Sequence, residues 1–236
     1  MNQQILIIGG MGPQASIELH RRIIASAGRH GAVNGDDFPE IIHASLPIRD
    51  FINGREFEPA ANAINRALDR FRSGTNQRVV IACNTAHLLI PQLIFHDGQQ
   101  LVSLIDETVG WIAAKQYRRV GLLASPTTLR SGLYRRQLND LGVRLQTPDS
   151  DELLELESII RATIGGQAGQ AVRLGTMVNH MLASGCERVL LGCTELSLVA
   201  GQLAGCIDPL QVVVPRLLGL SPGLIGTTNE SRALRS

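Results

Sequence analysis

The chain predicts an α/β fold of two similar lobes, each a mainly parallel sheet flanked by helices, pseudo-twofold related with a ligand site between them. Three observations carry that reading. Short apolar, β-branched runs alternate with stretches of helical periodicity along the chain. Ile5-Leu6-Ile7-Ile8 has a counterpart 115 positions later in Val120-Gly121-Leu122-Leu123-Ala124. Val79-Val80-Ile81-Ala82-Cys83-Asn84-Thr85-Ala86-His87 is echoed 110 positions later by Val189-Leu190-Leu191-Gly192-Cys193-Thr194-Glu195-Leu196.

Each element has a local reason. Ile5–Ile8 reads as a first strand ended by Gly9-Gly10-Met11-Gly12, and Pro13 opens an amphipathic helix to about Ala27, where its missing N–H costs little. After the turn formers Asn34-Gly35-Asp36-Asp37, Glu40–Leu46 fits a second strand, ended by Pro47-Ile48-Arg49-Asp50. Pro59–Phe71 has helical spacing. The strand carrying Cys83 follows, then a helix from about Asn84 that Pro91 interrupts. The series restarts at Val120–Ala124, ended by Ser125-Pro126-Thr127-Thr128, with a helix over Ser131–Leu141 and a strand over Val143–Gln146. Helices over Glu152–Ile164 and Ala171–Ala183, split by Gly165-Gly166, precede the strand carrying Cys193. Polar His96–Gln100 and the region near Asp208-Pro209 are the expected crossovers, which assigns 1–97 with 208–236 to one lobe and 98–207 to the other. Val212-Val213-Val214-Pro215 interrupts a returning helix, and the weakly periodic end from Ser221 is expected to fray.

Composition narrows the function. The 236 residues are 44% hydrophobic, enough for a sizeable core, and 22 Lys+Arg against 21 Asp+Glu leave a net charge of +1. That balance gives nucleic acid or an anionic membrane no electrostatic attraction, and 3% aromatics offer few stacking platforms. The partner expected is a small molecule. The first residues lack a basic leader pattern and the apolar run after them is short, so the expected location is the cytoplasm. Four cysteines are too few for a disulfide framework. Cys186 and Cys206, each after a glycine, read as small apolar filler.

Cys83 and Cys193 read differently. Each follows a strand and precedes a helix start, at the sheet edge where ligands of open α/β folds bind. Two thiols from opposite lobes that face one carbon suit inversion of a stereocentre, which needs a base on one face and an acid on the other. A thiol pKa of about 8.5 is near enough to ambient pH to accept and return protons. The carbanion that develops needs preorganised donors, and the turns at Gly9–Gly12, Cys83–Thr85 and Cys193–Glu195 present backbone N–H groups at helix starts. Asn84, Thr85 and Thr194 add side-chain hydrogen bonds, or serve as helix caps.

These segments, with Gly9-Gly10-Met11-Gly12-Pro13, resemble the aspartate/glutamate racemase family and its aspartate racemase branch. Val120–Ala124, Thr128, Ser131-Gly132-Leu133-Tyr134 and Asp208 extend the resemblance over most of the chain. It implies a two-lobed, commonly dimeric enzyme that racemises an acidic amino acid without pyridoxal phosphate, metal or other cofactor. Cys83 and Cys193 then form the acid/base pair. Met11 (through its backbone), Asn84, Thr85, Thr128 and Thr194 bind substrate, with Glu195 on the ammonium. For the side-chain carboxylate the branch uses an Arg after the second strand, which Arg49 matches approximately, and a Lys at a position where this chain has Gly165. Arg161, one turn earlier, is expected to be an exposed helix residue.

Rival readings remain. Gly10-x-Gly12-x-x-Ala15 fits a dinucleotide fingerprint, but the second strand ends in Ala44-Ser45-Leu46 without the acidic residue a ribose needs. Cys83, His87, Cys193 and Glu195 all carry metal-binding groups, without diagnostic spacing. A cis-trans isomerase or decarboxylase on the same scaffold would use a cysteine without inversion. A non-catalytic amino-acid binder is the remaining class.

Overall fold

In the computed structural model, residues 4–52, 57–74, 76–201 and 203–220 are described. Strands β1 (Gln4–Gly9), β2 (Glu40–Ser45), β3 (Gln77–Ile81) and β4 (Gln99–Leu101) form one sheet in the order β2-β1-β3-β4. Strands β5 (Arg119–Leu123), β6 (Arg144–Gln146), β7 (Arg188–Leu191) and β8 (Cys206–Ile207) form a second in the order β6-β5-β7-β8. Every pairing is parallel, and both sheets repeat one topology. That is the two-lobed α/β arrangement the sequence repeats predict.

The β1 strand is buried throughout, as a central parallel strand covered on both faces must be. Helix α1 (Pro13–Arg29) buries Ala15, Leu19, Ile23 and Ala27, a stripe at four-residue spacing. Leu19 and Ile23 are fully buried, each worth ~1.5–3 kcal/mol by transfer from water. Helix α2 (Phe57–Arg70) packs Ala60, Ala61, Ile64 and Leu68 with Leu6, Ile8 and Ile81. In the second sheet, α6 (Ser150–Ile164) and α7 (Gln170–Ala183) cover one face with Ile159, Ile160, Leu174 and Met181 against Val189 and Leu191. A capping box between Asp149 and Glu152 starts α6.

Several elements depart from expectation. The segment after Cys83 is a 3-10 helix, Thr85–Gln92, because Pro91 inside it lacks the N–H an α-helix would use. The single helix expected over Ser131–Leu141 is two, α4 (Pro126–Ser131) and α5 (Arg135–Asp140), since Gly132 turns left-handed at φ 68°. The break sends Tyr134 into the core, fully buried.

Gln99 and Gln100, expected within the His96–Gln100 crossover, instead belong to β4 of the first sheet. Gln99 is tolerated there because its Nε2 donates to Gln77 Oε1 at 2.8 Å and Gln77 Nε2 donates to Gln4 Oε1, a buried amide ladder. The link to the second sheet runs through α3 (Leu104–Ala114), with Ser103 as its N-cap. Pro215 does not interrupt the returning helix α9 (Pro209–Leu217), which follows the short helix α8 (Leu196–Ala200) and β8. It sits in the last turn, and Leu210, Val213, Val214 and Leu217 pack with Ile5, Ile7 and Val80. The expected fraying from Ser221 falls outside the described residues.

Candidate active site

Cys83 and Cys193 each lie two residues beyond the end of equivalent strands, β3 and β7. They line one cavity between the sheets together with Met11, Asn84, Thr85, Thr194 and Glu195. The cavity is small, about 10 Å3, on the order of one water. The lobes meet around it through polar contacts. Thr194 Oγ1 lies 3.3 Å from the Ala82 carbonyl, and Thr127 Oγ1 donates to the Ile52 carbonyl at 2.7 Å. Thr85, Ser125 and Thr128 close a triangle of hydroxyls, with Thr85 to Thr128 at 2.8 Å and the other two edges at 3.1 Å.

Two opposed effects act on each sulfur. Backbone N–H groups of Ala86 and Thr85 point at Cys83, and that of Glu195 at Cys193, which favours thiolate. Burial wins. With Glu195 as the second cause, it pushes Cys83 up to about 12, and it raises Cys193 well above the ordinary thiol range. Both are therefore thiols in the closed cavity, and charge on Cys83 disfavours charge on Cys193. Cys193 Sγ donates to Glu195 Oε2 at 3.0 Å, and burial raises the Glu195 carboxyl despite that bond. A carboxylate in contact with a thiol is a route for its proton.

The glycine turn is shaped by the protein's own close contacts. A Cβ on Gly10 would lie 1.8 Å from the Leu46 carbonyl oxygen, and one on Gly12 would lie 1.7 Å from Glu195 Oε1. Gly12 thus makes room for the carboxylate beside Cys193, which gives this fingerprint a role other than seating a pyrophosphate. His87 is likewise occupied. Its Nδ1 bonds the Cys83 carbonyl at 2.9 Å and its Nε2 accepts the Leu104 N–H at 3.0 Å, leaving no ring lone pair for a metal. Among the described residues no group of three His, Cys, Asp or Glu is arranged to hold one.

Of the residues singled out from sequence, Met11, Cys83, Asn84, Thr85, Cys193, Thr194 and Glu195 converge on the cavity, while Thr128 supports Thr85 from behind it. Arg49 does not join them. It lines a separate groove with Leu46, Pro59, Arg66 and Arg70, while the next residue, Asp50, reaches the cavity. Arg161 pairs with Glu157 at 2.7 Å on the exposed face of α6, and Gly165 ends that helix beside Ile164, which lines the cavity. Asp208 caps α9, accepts from Ser197 and pairs with Arg22 at 2.5 Å, away from the cysteines. Asp50, Phe51, Ile52 and Ser125 are cavity residues the sequence reading did not select. Ser125 carried a signal: Ser125-Pro126 starts α4 as Gly12-Pro13 starts α1, so the repeat extends to the helix openings. Among the described lining residues none is basic, and Asp50 and Glu195 are acidic.

A fold of two matched parallel sheets with a cysteine at each facing edge defines a class of two-lobed α/β proteins built around a thiol pair. The chain belongs to the Asp/Glu/Hydantoin racemase family, whose description matches residues 8–217. It is similar to an aspartate racemase from Picrophilus torridus, at 24% identity and a TM-score of 0.81 over 94% of each chain. An aspartate racemase homologue from Pyrococcus horikoshii OT3 matches at 26% identity and TM-score 0.69, over 93% of this chain and 98% of that one. A glutamate racemase from Deinococcus radiodurans is 29% identical over 130 residues, 53% of this chain and 44% of the relative. The match therefore spans less than half of that enzyme's length.

Proposed function

We propose that this chain is a cofactor-independent amino acid racemase that moves the Cα proton between Cys83 and Cys193, with aspartate and glutamate as first candidate substrates. The observation that carries the reading is the shared cavity, in which two thiols from equivalent strands each receive backbone N–H groups from the turn that follows. Family membership and the relatives named for aspartate and glutamate support the choice of substrate.

In each direction one sulfur, as thiolate, takes the Cα proton and becomes a thiol. The opposite thiol gives its proton to the other face of the carbon and becomes the thiolate. The bonds balance without an oxidant or reductant, and the return reaction exchanges the roles. The first thiolate has to form against burial. Glu195, 3.0 Å from Cys193, accepts that proton and becomes neutral, and the substrate ammonium offsets the charge of the Cys193 thiolate and Asp50. Backbone N–H groups at the cysteine turns and the hydroxyls of Thr85 and Thr194 meet the substrate carboxylate, where charge grows in the transition state. An amino acid is far larger than the closed cavity, so binding requires the lobes or the Asp50–Ile52 strand exit to move apart.

The test is a chiral assay of L- and D-aspartate and glutamate, with neutral and basic amino acids alongside, without added cofactor. The proposal predicts inversion of at least one pair, lost in both Cys83→Ser and Cys193→Ser. No inversion of any amino acid, or full activity in either variant, contradicts it.

A further inference from the structure

We propose that Tyr134 is a positioning residue which fixes the side-chain amide of Asn84 so that its NH2 group is presented to the substrate α-carboxylate. The proposal rests on the racemase reading for the identity of the ligand and on separate geometry for the role.

Tyr134 is fully buried, on the link between α4 and α5 that begins with the left-handed Gly132. Its hydroxyl donates to Asn84 Oδ1 at 2.5 Å, reaching from the second lobe to the turn that carries Cys83. Asn84 is 1% exposed and lines the cavity beside that cysteine. A primary amide has one accepting end and one donating end. Tyr134 occupies the accepting end. The donating end, Nδ2, is buried without a hydrogen-bond partner.

Such a donor is costly to leave unpaired. Left alone, an amide relieves that cost by rotating about its terminal bond to find any acceptor. The tyrosine hydroxyl opposes the rotation, because turning Asn84 over would break the O–H···O bond to Oδ1 and require Tyr134, now accepting, to turn its own proton to another acceptor. The orphan is thereby held in place on a cavity-lining residue, available to an anionic oxygen beside Cys83. A substrate carboxylate is the group that the proposed reaction brings there. Asn84 alone would be a flexible contact, and Tyr134 makes it a preorganised one.

The experiment combines calorimetric binding of the D- and L-amino acids with steady-state kinetics and melting curves on four proteins: wild type, Tyr134→Phe, Asn84→Ala and the double variant. Asn84→Asp is added because it keeps an acceptor for Tyr134 while replacing the donor with a repelling oxygen. Tyr134→Phe is expected to weaken binding about tenfold and raise KM in step, with kcat within about threefold. The double variant should bind as Asn84→Ala does, showing that the two act as one unit. Asn84→Asp should lose at least a hundredfold in affinity while still folded. Additive losses, unchanged binding in Tyr134→Phe with only a lower melting temperature, or normal binding in Asn84→Asp would each overturn the proposal. So would a wild type that binds no amino acid. Binding with these variant effects but no inversion would instead sink the racemase reading and leave the Tyr134 assignment standing.

Discussion

Gly12→Ala displaces Glu195, because the added methyl meets that carboxylate before anything else, and it adds the strain of a side chain at a backbone φ of 157°. The new Cβ would lie 1.7 Å from Glu195 Oε1 and 2.8 Å from its Cδ, whereas real Cβ contacts stay beyond 3.0 Å. The oxygen must therefore retreat by about 1.3 Å, taking Oε2 away from its 3.0 Å contact with Cys193. Glu195 is 5% exposed, so the displacement is absorbed in packed surroundings and costs ~1–3 kcal/mol of stability. A misplacement of that size at a reacting group is worth ~100-fold in rate. We expect kcat to fall by about that factor, measured by chiral assay beside urea denaturation. Gly28→Ala is the control. Its methyl meets nothing within 4 Å on helix α1, so activity should hold and stability should rise by ~0.5–1 kcal/mol. Combining Gly12→Ala with Glu195→Asp shortens the side chain and should recover the part of the stability lost to the clash, without activity, since the carboxylate then falls short of the sulfur. Wild-type kcat in Gly12→Ala would refute a role for the Glu195–Cys193 contact.

Other consequences follow from the same geometry. Cys83 is buried as a thiol, with its pKa raised to about 12 against about 8.5 in the unfolded chain, so its contribution is intact below pH 8.5 and lost as pH climbs toward 12. At pH 10 that loss is about 2 kcal/mol, and Cys83→Ala should show a correspondingly smaller fall in urea stability between pH 8 and 10. The same burial predicts slow iodoacetamide labelling of Cys83 and Cys193 at pH 7, rising about tenfold per unit through pH 9 by mass spectrometry. A rate already flat above pH 7 would mean the thiolates are stabilised in the free protein. Arg22→Ala strands Asp208 between α1 and α9, and is expected to cost ~1–3 kcal/mol in denaturation while leaving KM within about twofold.

The parts legible in the sequence were those written locally. A β-branched run ended by a cysteine and a helix-opening pair specifies its own strand, turn and sheet edge, so Cys83 and Cys193 could be paired from their repeat alone. The Pro13 helix was equally plain. What escaped depends on contacts across the fold. Gln99 and Gln77 look like loop residues until their amides are seen to satisfy one another inside the sheet. Cys206-Ile207 is too short a strand to show a period. Asp50 and Arg49 are neighbours whose assignment to cavity and groove turns on how the chain leaves β2, which no spacing encodes. Tyr134 was visible as part of a motif, but its bond to Asn84 joins residues fifty positions apart.

The central claim is that two sulfurs serve opposite faces of one carbon, and deuterium entry at Cα tests it most directly. In heavy water each pure enantiomer of a turned-over amino acid should yield product carrying solvent deuterium from the first turnover, while recovered substrate stays protiated. Cys83→Ala and Cys193→Ala should each abolish inversion. Product that retains its original proton, or inversion that survives loss of either sulfur, would contradict the account.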